Sequence, residues 1–320
     1  MNILILGGHG FIGHHTAKVL TDQGHEITVV DRHHTYGDYP EWEYAPIIEQ
    51  RLIYMPAHRF MFGDVTDLEF MQAVFAAQSF DVVIDLATYP NAKMVKRNVI
   101  DATENMITAT AIALDLCVKH HVKRFVLASS SMVYGEFGSA APDETAVCNP
   151  LTLYGSYKLQ CEQMCKIWHK EHGLEYSILR PSALYGTRDT VVRVISKMAV
   201  AALTQGQIQV YGPDNRLDFS WVTDVASAFA TAATHANCAN EIFNCTRGNG
   251  RRILEAAEII QHRIPSKIDC LPHDSFYPNR DTLNSNKLRE LTEWNPTMDI
   301  EQGIPEYLDW LLAQSYLDRF

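Results

Sequence analysis

The run Ile3-Leu4-Ile5-Leu6-Gly7-Gly8-His9-Gly10-Phe11-Ile12-Gly13 opens the chain and decides the fold. Four consecutive apolar residues stopped by glycine read as a strand buried on both faces, as in a parallel sheet. Gly7 permits a tight turn, Gly10 lets backbone approach a pyrophosphate, and Gly13 lets the following helix pack closely on the strand. Amides at the helix start, those of Phe11 and Ile12 among them, then face the phosphates. A second apolar run, Ile27-Thr28-Val29-Val30, ends at Asp31, 18 residues after Gly13. A carboxylate there accepts hydrogen bonds from both ribose hydroxyls of NAD and repels the extra phosphate of NADP. The sequence therefore predicts NAD. Arg32 pulls the other way, since an arginine in that place can stack on adenine or hold a 2′-phosphate.

Working outward, apolar runs alternate with amphipathic stretches, the pattern of βαβ units and a parallel sheet. Strands are expected over 2–6, 26–30, 59–62, 81–86, 123–128 and 175–179, with helices over 11–23, 67–78, 99–120 and 153–172. This gives an α/β fold, a doubly wound sheet over 1–180, with 181–320 forming mainly a smaller substrate-binding lobe and some later segments returning to the sheet. Two strand ends add to the cofactor site: Gly63-Asp64-Val65, where Asp64 and Val65 can read the adenine edge, and Leu86-Ala87-Thr88, whose small residues admit the cofactor. The stretch 32–57 is rich in aromatics, Pro and His and has no clear period. It reads either as a functional insertion at the mouth of the site or as a plain surface excursion.

Composition narrows the partners. A formal net charge of −11 over 320 residues disfavours nucleic acid, which needs a concentrated basic surface, but leaves room for a phosphorylated small ligand. No apolar run approaches bilayer length and no signal-peptide pattern precedes the first strand, so a cytoplasmic protein without membrane contact is expected. The seven cysteines are odd in number and scattered, and read as reduced thiols. Neither they nor the pairs His14-His15, His33-His34 and His120-His121 assemble a metal-ligand set.

After the fifth strand comes Ser129-Ser130-Ser131-Met132-Val133-Tyr134-Gly135, and later Tyr154-Gly155-Ser156-Tyr157-Lys158. Tyr154 and Lys158 lie one helical turn apart on one face. Tyrosine with its ordinary pKa near 10 is a poor base at neutral pH, and a neighbouring ammonium favours its phenolate. With a serine at the adjoining strand end, such a pair moves a proton while hydride passes to or from the cofactor. Ser130 and Ser131 both stand close enough to be that serine.

In these motifs the chain resembles the extended short-chain dehydrogenase/reductases, the NAD-dependent epimerase/dehydratase family. Val122-Lys123-Arg124-Phe125, Arg180-Pro181-Ser182-Ala183-Leu184-Tyr185-Gly186 and Asp218-Phe219-Ser220-Trp221-Val222-Thr223-Asp224-Val225 extend the likeness from Met1 to about Trp310. The resemblance implies Ser130, Tyr154 and Lys158 as the catalytic set, a nucleotide-sugar substrate and a homodimer. Sugar-nucleotide dehydratases carry an Asp-Glu pair where Ser131 and Met132 stand, so dehydration is not expected. The usual diphosphate partners are also broken: an Asn is replaced by Ala183, an Arg by Leu217 with Arg216 one place away, and an Arg-Pro-Gly-Asp run by Leu271-Pro272-His273-Asp274. A helical Asn falls on Met106, with Asn105 beside it. Ser131, Arg188 and Arg216 are the expected substrate contacts. Three readings follow: a nucleotide-sugar epimerase working through a transient ketone, a dehydrogenase or ketoreductase of another carbinol, and a non-enzymatic dinucleotide sensor or scaffold. An intact tyrosine–lysine pair favours the first two.

Overall fold

The computed structural model describes residues 1–35, 41–55, 58–190 and 193–314, with backbone alone for 41–43. The first half alternates as expected: β1 (Asn2–Leu6), α1 (Phe11–Asp22), β2 (Glu26–Asp31), α2 (Glu41–Tyr54), β3 (Arg59–Phe62), α3 (Leu68–Ala77) and β4 (Val82–Asp85). Then come α4 (Ala92–Arg97), α5 (Val99–Thr103), α6 (Ala109–Lys119), β5 (Arg124–Ala128), α7 (Leu153–His172) and β6 (Glu175–Arg180). The second half holds β7 (Ala183–Tyr185), α8 (Val194–Gln205), β8 (Gln207–Tyr211), β9 (Arg216–Trp221), α9 (Val222–Thr234) and β10 (Glu241–Asn244). It closes with β11 (Gly250–Arg252), α10 (Ile253–Arg263), β12 (Lys267–Leu271), α11 (Asn286–Leu291) and α12 (Ile300–Leu312).

Seven parallel strands run in the order β10-β6-β5-β4-β1-β2-β3. Alternate residues of β1 serve opposite faces. Ile3 and Ile5 pack with Val29, Ile84 and Phe229 beneath α1 and α9. Leu4 and Leu6 pack with Val83, Val74 and Leu114 on the side of α3 and α6. Chain order reverses between β1 and β4, so a crevice opens at their carboxyl ends, where such folds bind ligands. The lobe is built from a three-stranded sheet, β11-β9-β7, and the pair β12-β8, around a core that includes Met198, Phe219, Trp221 and Leu308. Residues beyond 180 do not all belong to it: α9 packs on α1, and β10 pairs with β6.

Two expectations change. Residues 41–54 of the supposedly aperiodic stretch form α2, although Pro46 inside it disguises the helical signal. Ile47, Ile48 and Arg51 are its buried stripe; residues 36–40 and 56–57 lie outside the described chain. The helix expected over 99–120 is interrupted by a π-helical turn, Glu104–Thr108. The wide turn presents Asn105 to the crevice while Met106 sinks among Tyr89, Met94, Val95 and Ala102. Such wide turns are common at functional sites.

Candidate active site

Gly7, Gly10, Phe11, Ile12 and Gly13 line one end of a cleft of about 840 Å³. Gly7 has φ 73°, and a Cβ there would stand 2.8 Å from the backbone of Ala87, so no other residue fits between β1 and β4. Gly10 caps α1 without any side-chain hydrogen bond, which leaves the first helical amides free to meet a phosphate. Asp31 lines the same end; its two carboxylate oxygens accept from the amides of His9 at 3.0 Å and His33 at 2.8 Å. These features fit an NAD-type dinucleotide.

Arg32 is held away from Asp31. It pairs with Asp64 and donates to Asn105 Oδ1 at 3.0 Å. Burial works against the Asp64 carboxylate, but bonds from Thr66 and Arg32 outweigh it and keep the group below the usual carboxylate range. Asp64 itself does not line the wall, which is formed there by Gly63 and Val65; its carboxylate accepts from Arg32 and Thr66. Leu86, Ala87 and Thr88 continue the wall. With Arg32 engaged, NAD is expected to bind at least about tenfold more tightly than NADP, roughly 1.4 kcal/mol. Equal affinities by calorimetry would mean that Arg32 leaves Asp64 for the 2′-phosphate.

The reactive end is assembled by α7 resting on the turn after β5. Thr152 caps α7 by accepting from the amide of Gly155 at 3.2 Å. A Cβ on Gly155 would lie 2.4 Å from the Met132 carbonyl oxygen, so glycine permits the close approach of α7 to the turn that follows Ser130. Lys158 is buried, donates from Nζ to the Ala128 carbonyl at 2.6 Å, and stands 5.9 Å from the Tyr154 ring centroid. Ser130, Tyr154 and Lys158 all line the cleft. Ser131 is turned inward: fully buried, it donates to Ser182 Oγ at 3.4 Å and accepts from Arg280 at 3.2 Å. The geometry favours Ser130 as the hydroxyl that meets a substrate.

Toward the lobe the wall carries Ala183, Leu217 and His273 where the resemblance would place polar partners, with Arg193, Lys197, Arg216 and Arg280 also present. Arg216 is not idle: Nε donates to Asp281 at 3.1 Å and Nη2 to the Gly250 carbonyl. Arg188 does not reach the cleft. Its backbone is left-handed, φ 64°, its carbonyl accepts two bonds from Arg51, and its guanidinium lies 3.9 Å over the Tyr54 ring. That turn of the backbone aims it at α2. Lys197 and Arg193 were not read from the sequence, since a lone cation on an amphipathic helix carries no signal before the lobe is folded. Among the described residues no cluster of His, Cys, Asp or Glu is placed to hold a metal, no helix is long and apolar enough to cross a membrane, and the seven cysteines are free.

The model of the NAD dependent epimerase/dehydratase family matches residues 3–246. A UDP-glucose 4-epimerase of Lacticaseibacillus casei is 26% identical over 336 residues, covering 97% of this chain and 96% of its own. A dTDP-glucose 4,6-dehydratase of Streptomyces niveus is 25% identical over 320 residues, covering 97% and 92%. The crystal structure of a Thermotoga maritima UDP-glucose 4-epimerase with UDP-glucose has the same fold, with a TM-score of 0.87 at 24% identity over 98% of this chain and 99% of that one. Relatives of both reaction types thus lie near one quarter identity.

Proposed function

Given that the chain belongs to the NAD dependent epimerase/dehydratase family, with NAD as its cofactor, we propose that it epimerises a nucleotide sugar through a transient ketone at one carbinol carbon. One observation carries this reading: a single cleft joins the glycine turn and Asp31 to Ser130, Tyr154 and Lys158, and continues along the lobe wall to Lys197 and Arg216. When bound, NAD supplies reversible hydride transfer at the carbinol carbon. Tyr154 takes the carbinol proton and later returns it, Lys158 places positive charge beside that phenol, and Ser130 donates to the developing ketone oxygen. Elimination of water has no acid to drive it, because Ser131 is buried and bonded and Met132 is apolar. The test is titration of the NAD-loaded protein with UDP and other nucleoside diphosphates, followed by nuclear magnetic resonance of the sugar products. If none of the diphosphates binds at millimolar concentration, the substrate is not a nucleotide sugar and a dehydrogenase of another carbinol becomes the better reading.

The assembly belongs to the same proposal. The surface of α5, α6 and α7 pairs with its copy across a two-fold axis, as closed symmetry favours. Ile100 is 74% exposed and Ile167 46%, while Ile107 and Met164 are only partly covered by the core. Leu114 on α6 is fully buried within the subunit and takes no part. Light scattering should return twice the 36.2 kDa chain mass; a monomer at micromolar concentration would sink the dimer.

A further inference from the structure

The arginines of the cleft differ in how they are satisfied. Arg32 faces Asp64, Arg193 faces Asp189, and Arg216 faces Asp281. Arg51 donates to the carbonyls of His9 and Arg188. Arg280 alone among these has neither a carboxylate nor a carbonyl. Its Nη1 donates to Ser131 Oγ at 3.2 Å, and its Nε is closed off from solvent with no hydrogen-bond partner. Burial disfavours the charged form of Arg280, and only the phenols of Tyr277 and Tyr154 act against that effect. A guanidinium does not discharge in a protein, so one whose Nε is cut off from water without a partner is costly to keep.

Its address says which anion would pair with it. Ser131 Oγ, which Arg280 grips, belongs to the residue after Ser130, and Arg280 lines the same cleft as Ser130 and Tyr154. Arg280 therefore stands at the reacting carbinol. The diphosphate of a nucleotide sugar hangs from the anomeric carbon, across the sugar ring from a carbinol at C4. Lys197 and Arg216 on the lobe wall are the cations available to it there. A charge beside the carbinol must be on the sugar itself. Ser131 braces the site by donating to Ser182 Oγ, and Ser182 lines the cleft next to Arg280. A planar guanidinium flanked by a hydroxyl suits a carboxylate, which accepts both. Asp274, the nearest acid on the loop before Arg280, is already paired with Lys93 at 2.7 Å.

We propose that Arg280, with the Ser182 hydroxyl, binds a carboxylate carried by the sugar next to its reacting carbinol, so that the substrate is a nucleotide-activated uronate. The inference rests on the nucleotide-sugar reading above and goes further by naming the sugar class. Arg280 sets specificity; Ser131 positions it.

The experiment compares UDP-glucuronate with UDP-glucose as substrates of the NAD-loaded protein, for the parent, Arg280→Gln and Arg280→Lys. The parent should favour the uronate by at least about thirtyfold in kcat/KM, as expected for a shielded charge pair. Arg280→Gln should erase that preference chiefly through KM for the uronate, and leave UDP affinity and NAD content at parental values. Arg280→Lys should recover part of it. A merely structural Arg280 would lower both sugars alike, and that result overturns the assignment. Turnover of UDP-glucose at least as fast as of the uronate also overturns it while leaving the epimerase reading intact. Turnover of neither sugar, with no UDP binding, overturns both.

Discussion

Tyr154→Phe should lower turnover at least about a hundredfold while NAD affinity stays within about twofold of the parent, because the change deletes only the proton-transfer oxygen and keeps the ring and the rest of the cofactor wall. The expectation is asymmetric by design. Phe keeps the ring that Lys158 faces at 5.9 Å from its centroid, so the packing of α7 on the turn after β5 is untouched. Lys158→Met removes more. Its Nζ is the donor to the Ala128 carbonyl at the end of β5, it places positive charge beside the phenol, and a lysine in that place can also hold the nicotinamide ribose. That variant should lose activity and weaken NAD together. The pair of results separates proton transfer from cofactor holding: a Tyr154→Phe enzyme within threefold of the parent would remove Tyr154 from the mechanism.

The sheet was legible because its signals are local. Ile3 to Gly13 carry strand, turn and helix start in eleven residues, and parallel strands buried on both faces announce themselves as unbroken apolar runs. Tyr154 and Lys158 were legible for the same reason, being one turn apart on one helix. What escaped depends on contacts distant in sequence or on irregular backbone. No periodicity reveals the π-helical turn that rotates Asn105 into the cleft, since it shows only once α5 and α6 are built. The left-handed backbone at Arg188 sends that side chain to Tyr54, although its place after Tyr185-Gly186 suggested the cleft. Asp64 followed the expected strand yet spends its carboxylate on Arg32 and Thr66. Asp85 also went unread: at the end of β4 it is buried, accepts from Thr110 at 3.0 Å and from the Ala87 amide at 3.2 Å, and so fixes the wall opposite the glycine turn.

Glu162→Ala should cost about 3–5 kcal/mol of stability, as breaking one half of a buried ion pair does, and that is a large part of the roughly 5–15 kcal/mol typical of a folded domain. Glu162 lies one turn beyond Lys158, so residues 154, 158 and 162 form a single row down α7, of which the first two face the cleft and the third supports it. The Glu162 side chain is 0% exposed and that of Arg180 2%. Arg180 grips both carboxylate oxygens, from Nε at 2.8 Å and from Nη2 at 2.6 Å, and its Nη1 donates to Tyr134 Oη at 2.8 Å. Ser129, the residue before Ser130, donates to Glu162 Oε1 at 2.5 Å. The network thus ties the ends of β5 and β6 to α7 directly beneath the catalytic wall. Alanine leaves the Arg180 guanidinium sealed without its anion, whereas Glu162→Leu combined with Arg180→Met removes both charges and should recover most of the loss. Urea unfolding of the single and double variants measures this. A single variant within about 1 kcal/mol of the parent would mean that water reaches Arg180 and that the pair does not hold the strand ends; a double variant no better than the single would put the cost in lost packing rather than in the stranded charge.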